Sequence, residues 1–411
     1  MTGRIEKTVF ISYRRTNGIW ARAIYQDLYA HGFDAFFDFQ SIDSGDFSQV
    51  ILENIKARAH FIILLTPSAL ERCEEPNDWL RQEIETAIDT KRNIVPLMLD
   101  GFDFGSPDIL RALTDKLALL KVYNGLRIYS EYFEEGMARL RERYLNIALD
   151  AVLHPVSHSV KEATRVQQKK AKETESVKPR ELAAHEWNEK GALHGRQGEH
   201  EEALRYFTEA INLNPSYDMA FSNRSLARKF IGDIDGAIDD ITHAINLDPI
   251  NPDYYINRGS AFKDKGDFDS ALVDYDHAIK LDPEESAGAF QMIGVLALLR
   301  GDLEKALSNI QQAIKINPRN GSYRISLINV LRRLNRISEA EAEEPQAMIL
   351  LSNDAEYNRA CFEAVCGDKE KALDLLQIAI VRHQANLQWI KLDPDLDNIR
   401  EESRFIAMID K

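Results

Sequence analysis

The chain has 411 residues, 44% of them hydrophobic and 28% charged, with a formal net charge of −15 at pH 7. Two or three domains are expected at this length, and the acidic balance without a large basic face predicts no nucleic-acid partner. The longest purely apolar run, Phe61 to Leu65, is far short of the roughly 20 residues that a membrane span needs, and the three cysteines have neither zinc-ribbon nor CxxC spacing.

The amino terminus, MTGRIEKTVF, passes from charged residues straight into a strand pattern with no apolar leader, so a cytoplasmic protein with no membrane attachment is expected. Over the first 150 residues, TVFIS, DAFFDF, HFIILLT and NIVPLML read as strands, and helices are predicted to begin near Trp20, Phe47 and Trp79, with two more near Ile109 and Tyr132. This alternation predicts a parallel sheet covered on both faces, with ligands beyond the carboxyl ends of the strands. No GxGxxG follows the first strand and no P-loop pattern occurs, which excludes the common nucleotide cradles. In NDWLRQEIETAID, residues 77 to 89, Leu80, Ile84, Ala87 and Ile88 form one apolar stripe, and Asn77 or Asp78 can cap the first turn. Glu83 falls at the border of that stripe and Trp79, one turn earlier, just beyond it, so the pair faces a rim.

Three stretches carry a resemblance: VFISYRR at the first strand, FFDFQSIDSGDF after the second, and CEEPNDWLRQE leading into the helix just described. In this order and spacing they resemble a Toll/interleukin-1 receptor (TIR) domain over nearly all of residues 5–148, and within that family the members that cleave NAD. The resemblance implies an α/β TIR domain over residues 1–150, a flavodoxin-like parallel sheet with helices on both faces. It implies a catalytic Glu83 preceded by Trp79, with Arg14 and Arg15 on phosphates or ribose and Asp43, Gly45 and Phe47 lining the second loop. NAD+ would be the substrate; no cofactor and no metal are expected. QSIDSGDF lacks the basic residues that some members carry in this loop, and the segment between Cys73 and Trp79 is short.

The chemistry suits one carboxylate. Breaking the nicotinamide–ribose bond builds positive charge on the ribose, which a carboxylate beneath the sugar stabilises, and nicotinamide leaves neutral without a general acid. A tryptophan one turn away can wall the nicotinamide or adenine ring, and the guanidinium fork suits phosphate. Each residue also has a plain structural reading: a solvated Glu at a helix edge, a partial-core Trp, a tight turn at Gly45, a helix staple at Phe47, a packed Cys73.

Residues 151–183 read as a basic linker, solvated and in part helical: residues 151–180 carry +4, against −5 before and −14 after. Beyond it the sequence repeats. Gly198, Gly232, Gly266 and Gly301, and likewise Pro215, Pro249, Pro283 and Pro318, recur at intervals of 34, 34 and 35 residues. Each unit adds an aromatic near its start, a small residue four later, and an Ala plus a branched apolar residue after the glycine. The pattern describes a helical hairpin in which Gly ends the first helix and Pro closes the second. It resembles the tetratricopeptide repeat (TPR), implying an all-α TPR solenoid of about six repeats over 184–387, the fifth degenerate with Asn335 in the glycine position, and a capping segment with a polar outer face over 388–411. Such arrays take a protein or other ligand on a concave surface or oligomerise. The lysines of a carboxylate clamp are missing beside Asn223 and Asn257, which therefore read as packing between helices.

The resemblance implies an NAD+ hydrolase or cyclase, releasing nicotinamide and ADP-ribose or a cyclic isomer, activated by TIR self-association under control of the array, in immune or cell-death signalling. The rival readings are a non-catalytic TIR–TPR adaptor, another glycosyl-transfer enzyme such as a nucleoside deoxyribosyltransferase, and an array that is only a stalk.

Overall fold

A computed structural model describes residues 5–38, 47–148, 152–352, 354–382, 384 and 386–409, except for the side chain of Phe47. The chain divides into two compact units: Met1–Gln197 with Glu209–Pro215, and Gly198–Thr208 with Ser216–Lys411.

In the first unit five strands, β1 (Thr8–Ser12), β2 (Asp34–Phe36), β3 (His60–Leu65), β4 (Asn93–Met98) and β5 (Leu126–Arg127), form a parallel sheet in the order β2-β1-β3-β4-β5. Their near-continuous apolar runs suit a sheet buried on both faces. Val9, Ile11, Ile62 and Leu64 point to one side, where they meet Trp20, Ile24 and Leu28 of α1 (Gly18–Ala30). Phe10, Phe61, Ile63 and Leu65 point to the other, against Ile51 and Ile55 of α2 (Phe47–Ala57) and Leu80 and Ile84 of α3 (Trp79–Asp89). Two shorter helices, α4 (Pro107–Ala112) and α5 (Phe133–Arg139), complete the layers. The doubly covered parallel sheet is the expected one; β5, only two residues long, adds an edge strand that periodicity did not reveal.

The basic segment departs from expectation. Residues 158–173 form α6 (His158–Glu173), which docks on the sheet domain instead of remaining solvated. Thr164 bonds Asn54 (2.9 Å), Gln168 reaches the Ala35 carbonyl (2.8 Å), and Val160 and Ala171 are buried. Its inward stripe of Val160, Thr164, Gln167 and Ala171 is half polar, and hydrogen bonds replace part of the apolar periodicity that would have announced it. The following helix, α7 (Pro179–Arg196), also belongs to this unit.

The array continues with α8 (His200–Leu213) and then hairpins of α9 (Asp218–Phe230) with α10 (Ile234–Leu247), α11 (Pro252–Lys265) with α12 (Phe268–Leu281), α13 (Ala287–Leu299) with α14 (Leu303–Ile316), α15 (Gly321–Arg333) with α16 (Ile337–Leu351), and α17 (Glu356–Cys366) with α18 (Lys369–Val381). Gly266 takes φ +87° as it ends α11, a left-handed conformation that a side chain strains. Asn335 takes the same role at φ 59°, tolerable for Asn, so the eroded repeat keeps its turn. Gly294 explains the small residue: a Cβ there would lie 2.6 Å from Ile310 on the partner helix. Asn257 bonds Ser222 of the preceding repeat (3.3 Å), as its packing role requires. The array ends in α19 (Leu387–Ile390), a 3-10 turn (Pro394–Ile399) and α20 (Ser403–Ile409).

Candidate active site

The site forms at the carboxyl end of β1, where the chain emerging from a parallel sheet leaves backbone and side chains free to meet a ligand. Ser12, the last residue of β1, is buried, and its hydroxyl donates to Glu83 Oε2 at 2.5 Å. Glu83 reaches it from the second turn of α3. One turn earlier Trp79 is 39% exposed, and Glu83 itself is half-buried. The rim position expected of the pair is the one the structure gives.

The start of α3 is fixed by Asp78. Its carboxylate accepts the Arg81 backbone N–H (3.1 Å) and both terminal nitrogens of Arg14 (2.6 and 2.9 Å), while Arg14 Nε donates to the Ala69 carbonyl (2.8 Å). Burial acts to raise the Asp78 pKa, but the Arg14 and Arg81 hydrogen bonds outweigh it and hold Asp78 below the usual carboxylate range. Arg14 is thus turned inward and spends its fork on a helix cap. It positions α3, a role that the expectation of a phosphate or ribose contact did not include. Arg15 is exposed, and its charge acts on Asp38.

Burial pushes the Glu83 pKa up to about 8; the negative charges of Asp38 and Asp78 add to this, against the Ser12 hydrogen bond and the Arg14 charge. Asp38, two residues past β2, is pushed up to about 6 by burial, opposed by Arg15. Its carbonyl accepts the Tyr13 hydroxyl, and its Oδ1 is buried with no partner among the described residues. Burial and then the charges of Asp38 and Glu83 raise the Tyr13 phenol. Ser12, Tyr13 and Asp38 were not singled out by sequence reasoning, although all three lie inside the quoted stretches; the signal available was their place at the carboxyl ends of β1 and β2. Asp43 and Gly45 lie outside the described residues, as does the side chain of Phe47, whose backbone begins α2. Cys73 is buried and packs beside Asp78 (3.3 Å). Among the described residues no group of three or more His, Cys, Asp or Glu could hold a metal ion.

Helix α7 lies along the same edge of the sheet. His185 Nε2 donates to the Thr16 carbonyl (2.7 Å), Glu186 accepts the Ser130 backbone N–H (2.8 Å) and hydroxyl (2.5 Å), Glu189 accepts the Ser68 hydroxyl (3.4 Å), and Lys190 pairs with Asp100 (2.8 Å). Those four partners follow β1, β5, β3 and β4. Burial raises the Glu186 pKa against both Ser130 bonds.

The family model described as the TIR domain matches residues 9–140, and models of the tetratricopeptide repeat match 184–217, 252–285 and 287–320. The chain joins a TIR domain to tetratricopeptide repeats. Its TIR domain is similar to curated relatives: NAD(+) hydrolase sarm1 of Drosophila melanogaster, 33% identical over 141 residues, 33% of this chain and 10% of the relative; NAD(+) hydrolase tir-1 of Caenorhabditis elegans, 30% over 136 residues, 32% and 14%; and NAD(+) hydrolase SARM1 of Danio rerio, 31% over 136 residues, 32% and 18%. The chain therefore spans less than a fifth of these relatives' length, all of it TIR domain. Among solved structures, Pseudomonas aeruginosa pilF matches at 16% identity and TM-score 0.41, over 50% of this chain and 97% of that one. The MamA protein matches at 20% and 0.34, over 42% and 94%.

Proposed function

We propose that the TIR domain cleaves NAD+ between nicotinamide and ribose, with Glu83 as the catalytic carboxylate. The observation that carries this reading is the placement of that carboxyl: half-buried at the carboxyl end of β1, bonded to Ser12, one turn below an exposed Trp79. Near neutral pH an acid with a pKa near 8 is mostly protonated. A nicotinamide cation brought against it favours the charged form, so substrate binding itself ionises the group.

The C1′–N bond then breaks, its electron pair leaves with nicotinamide, and the carboxylate stabilises the oxocarbenium charge on the ribose. Water adds to C1′ and releases its proton, giving ADP-ribose; attack by a ring nitrogen of the adenine in place of water gives a cyclic isomer. Trp79 supplies a wall for an aromatic ring, and Arg15 a fork for phosphate. Self-association of TIR domains and control by the repeats complete the proposal. Helix α7 opens the first matched repeat and is fastened to loops at the carboxyl edge, so a change in α7 reaches them. A cytoplasmic setting in immune or cell-death signalling rests on family resemblance.

A neutral carboxyl bonded to a serine is also how an adaptor would hold a structural Glu83, and this keeps the non-catalytic reading in play. Nicotinamide release from NAD+ by the purified chain, measured across protein concentrations beside Glu83→Ala, decides between them. Turnover that rises more than proportionally with concentration and vanishes in the variant supports the enzyme and its assembly; no turnover by an oligomeric wild type supports the adaptor.

A further inference from the structure

The last segment of the chain is more than an end cap. Residues 387–399 fold against the first helices of the later repeats. Trp389 lies beneath Lys263 of α11, with Nζ 4.0 Å from the ring centroid. Asp393 accepts the Tyr357 hydroxyl of α17 (2.5 Å). Asn329 of α15 donates to Asp395 Oδ1 (2.6 Å) and to the Pro394 carbonyl (3.0 Å), and Arg333, one turn on, donates to the same carbonyl (3.1 Å) and pairs with Asp397. Trp389, Ile390, Leu396 and Ile399 are buried. Helices from three repeats thus hold an aromatic anchor, a main-chain carbonyl and three carboxylates. A groove that binds an acidic peptide in trans would use the same set of interactions.

The segment does not fill its seat. A cavity of about 530 Å³ is left beside it, walled by α9, α11, α13, α15 and α17 and by Trp389, Asp393 and Asp395 of the segment itself. Lys229 and Lys263 line this stretch and share Asp264 at 3.4 and 3.1 Å, and the charge of Lys263 also acts on Asp393. The seated end is crowded with like charge instead. Burial raises Asp393, and burial together with Asp393 pushes Asp395 up to about 8. An occupant that buries two carboxylates so close together is held at a cost and is replaceable.

We propose that this face of the array is a docking groove for an acidic peptide segment with an aromatic anchor, and that Leu387–Ile399 occupies it in cis in the partner's place. The partner carries an aromatic residue followed by spaced acidic residues, and a further acidic residue upstream reaches Lys229 and Lys263. The groove is therefore self-occupied at rest, and its apparent affinity is lowered by the fraction of chains in which the segment is seated. This inference is independent of whether Glu83 cleaves NAD+.

The probe is a fluorescently labelled synthetic peptide with the sequence of residues 386–399, titrated into the full chain and followed by anisotropy. Two variants loosen the cis segment: Trp389→Ala removes its anchor, and Asp397→Lys, at an exposed position, sets like charge against Arg333. We expect the peptide to bind at least tenfold more tightly to either folded variant than to wild type, and the gain to be lost when Asn329→Ala is added. Equal binding by wild type and both variants, or no saturable binding to a variant that keeps its helical circular dichroism, would overturn the proposal. So would a peptide with Asn for both Asp393 and Asp395 that binds as well as the original.

Discussion

Two carboxyl groups of the array and one of the TIR domain are buried in opposite ways. In the array, Asp240 and Asp274 are each gripped by two nitrogens of an arginine on the preceding helix, Arg224 (2.8 and 2.7 Å) and Arg258 (both 2.8 Å). Those pairs recur at the repeat interval and hold helix to helix. In the TIR domain, Glu83 has a serine hydroxyl and, among the described residues, no cation bonded to it. On the same helix Glu85 is bonded to Arg81 (2.9 Å). A buried acid with a bidentate arginine is part of the scaffold, whereas one left short of a counter-charge has a pKa free to move and points to chemistry.

Breaking each kind of acid should give a different result. Glu83→Gln keeps shape and hydrogen bonding but cannot ionise, so nicotinamide release should fall by about 10²–10³-fold, the loss expected when one preorganised electrostatic stabiliser is removed. Activity of the folded variant within tenfold of wild type would refute the catalytic assignment. In the array, Arg224→Met removes two hydrogen bonds from the buried Asp240 and leaves it Arg228 at 3.3 Å, so it should cost about 2 kcal/mol in urea unfolding, less than breaking a buried pair outright, while basal NAD+ cleavage by the remaining folded chain is unaffected.

Arg14→Ala lies between these cases. It removes a cap partner from α3, and the loss of hydrogen bonds to a charged group predicts about 2 kcal/mol of destabilisation. Because Glu83 is positioned through that helix, kcat should fall with little change in KM; a change confined to KM would restore Arg14 to the substrate.

The pH dependence follows from the Glu83 shift, from 4.5 to about 8. In the unfolded chain Glu83 loses its proton first, so its contribution to stability is fully present below pH 4.5 and is lost as pH rises toward 8. Relative to wild type, Glu83→Gln should therefore gain thermal stability at pH 8 and not at pH 4.5, by about 1–2 kcal/mol after allowing for partial exposure. kcat/KM should rise with pH up to about 8, since the free enzyme must ionise Glu83. A flat profile from pH 6 to 8 would contradict this. The smallest effects lie at the repeat turns: Gly266→Ala should cost about 1 kcal/mol for a side chain at positive φ, and Asn335→Gly should return somewhat less.

How far the sequence spoke varies with the range of the interactions. Strands β1, β3 and β4 were legible as apolar runs, and the hairpins as a recurrence of Gly and Pro, because both signals are local. Glu83 and Trp79 were found through a helical wheel and a motif. Ser12, the partner of Glu83, lies 71 residues away and could be met only once the sheet had formed. Arg14 illustrates the same limit: an arginine beside a predicted ligand loop looks free until the fold brings Asp78 against it. Helix α6 was misread because Thr164 and Gln168 dock it by hydrogen bonds, which leave no hydrophobic period. The cis occupancy of the groove was hidden for a related reason, since Asp393 and Asp395 in sequence are simply two more acids in an acidic tail.

The contacts of α7 also make it a ruler. His185 and Glu189 are one turn apart, as are Glu186 and Lys190, so all four reach different loops from one face. One residue inserted between Glu186 and Glu189 would carry Glu189 and Lys190 about 100° around the helix axis and away from Ser68 and Asp100. Along this stretch the spacing of the chain is constrained as well as its letters: a point substitution would loosen one contact, while a single-codon insertion or deletion would dephase the set.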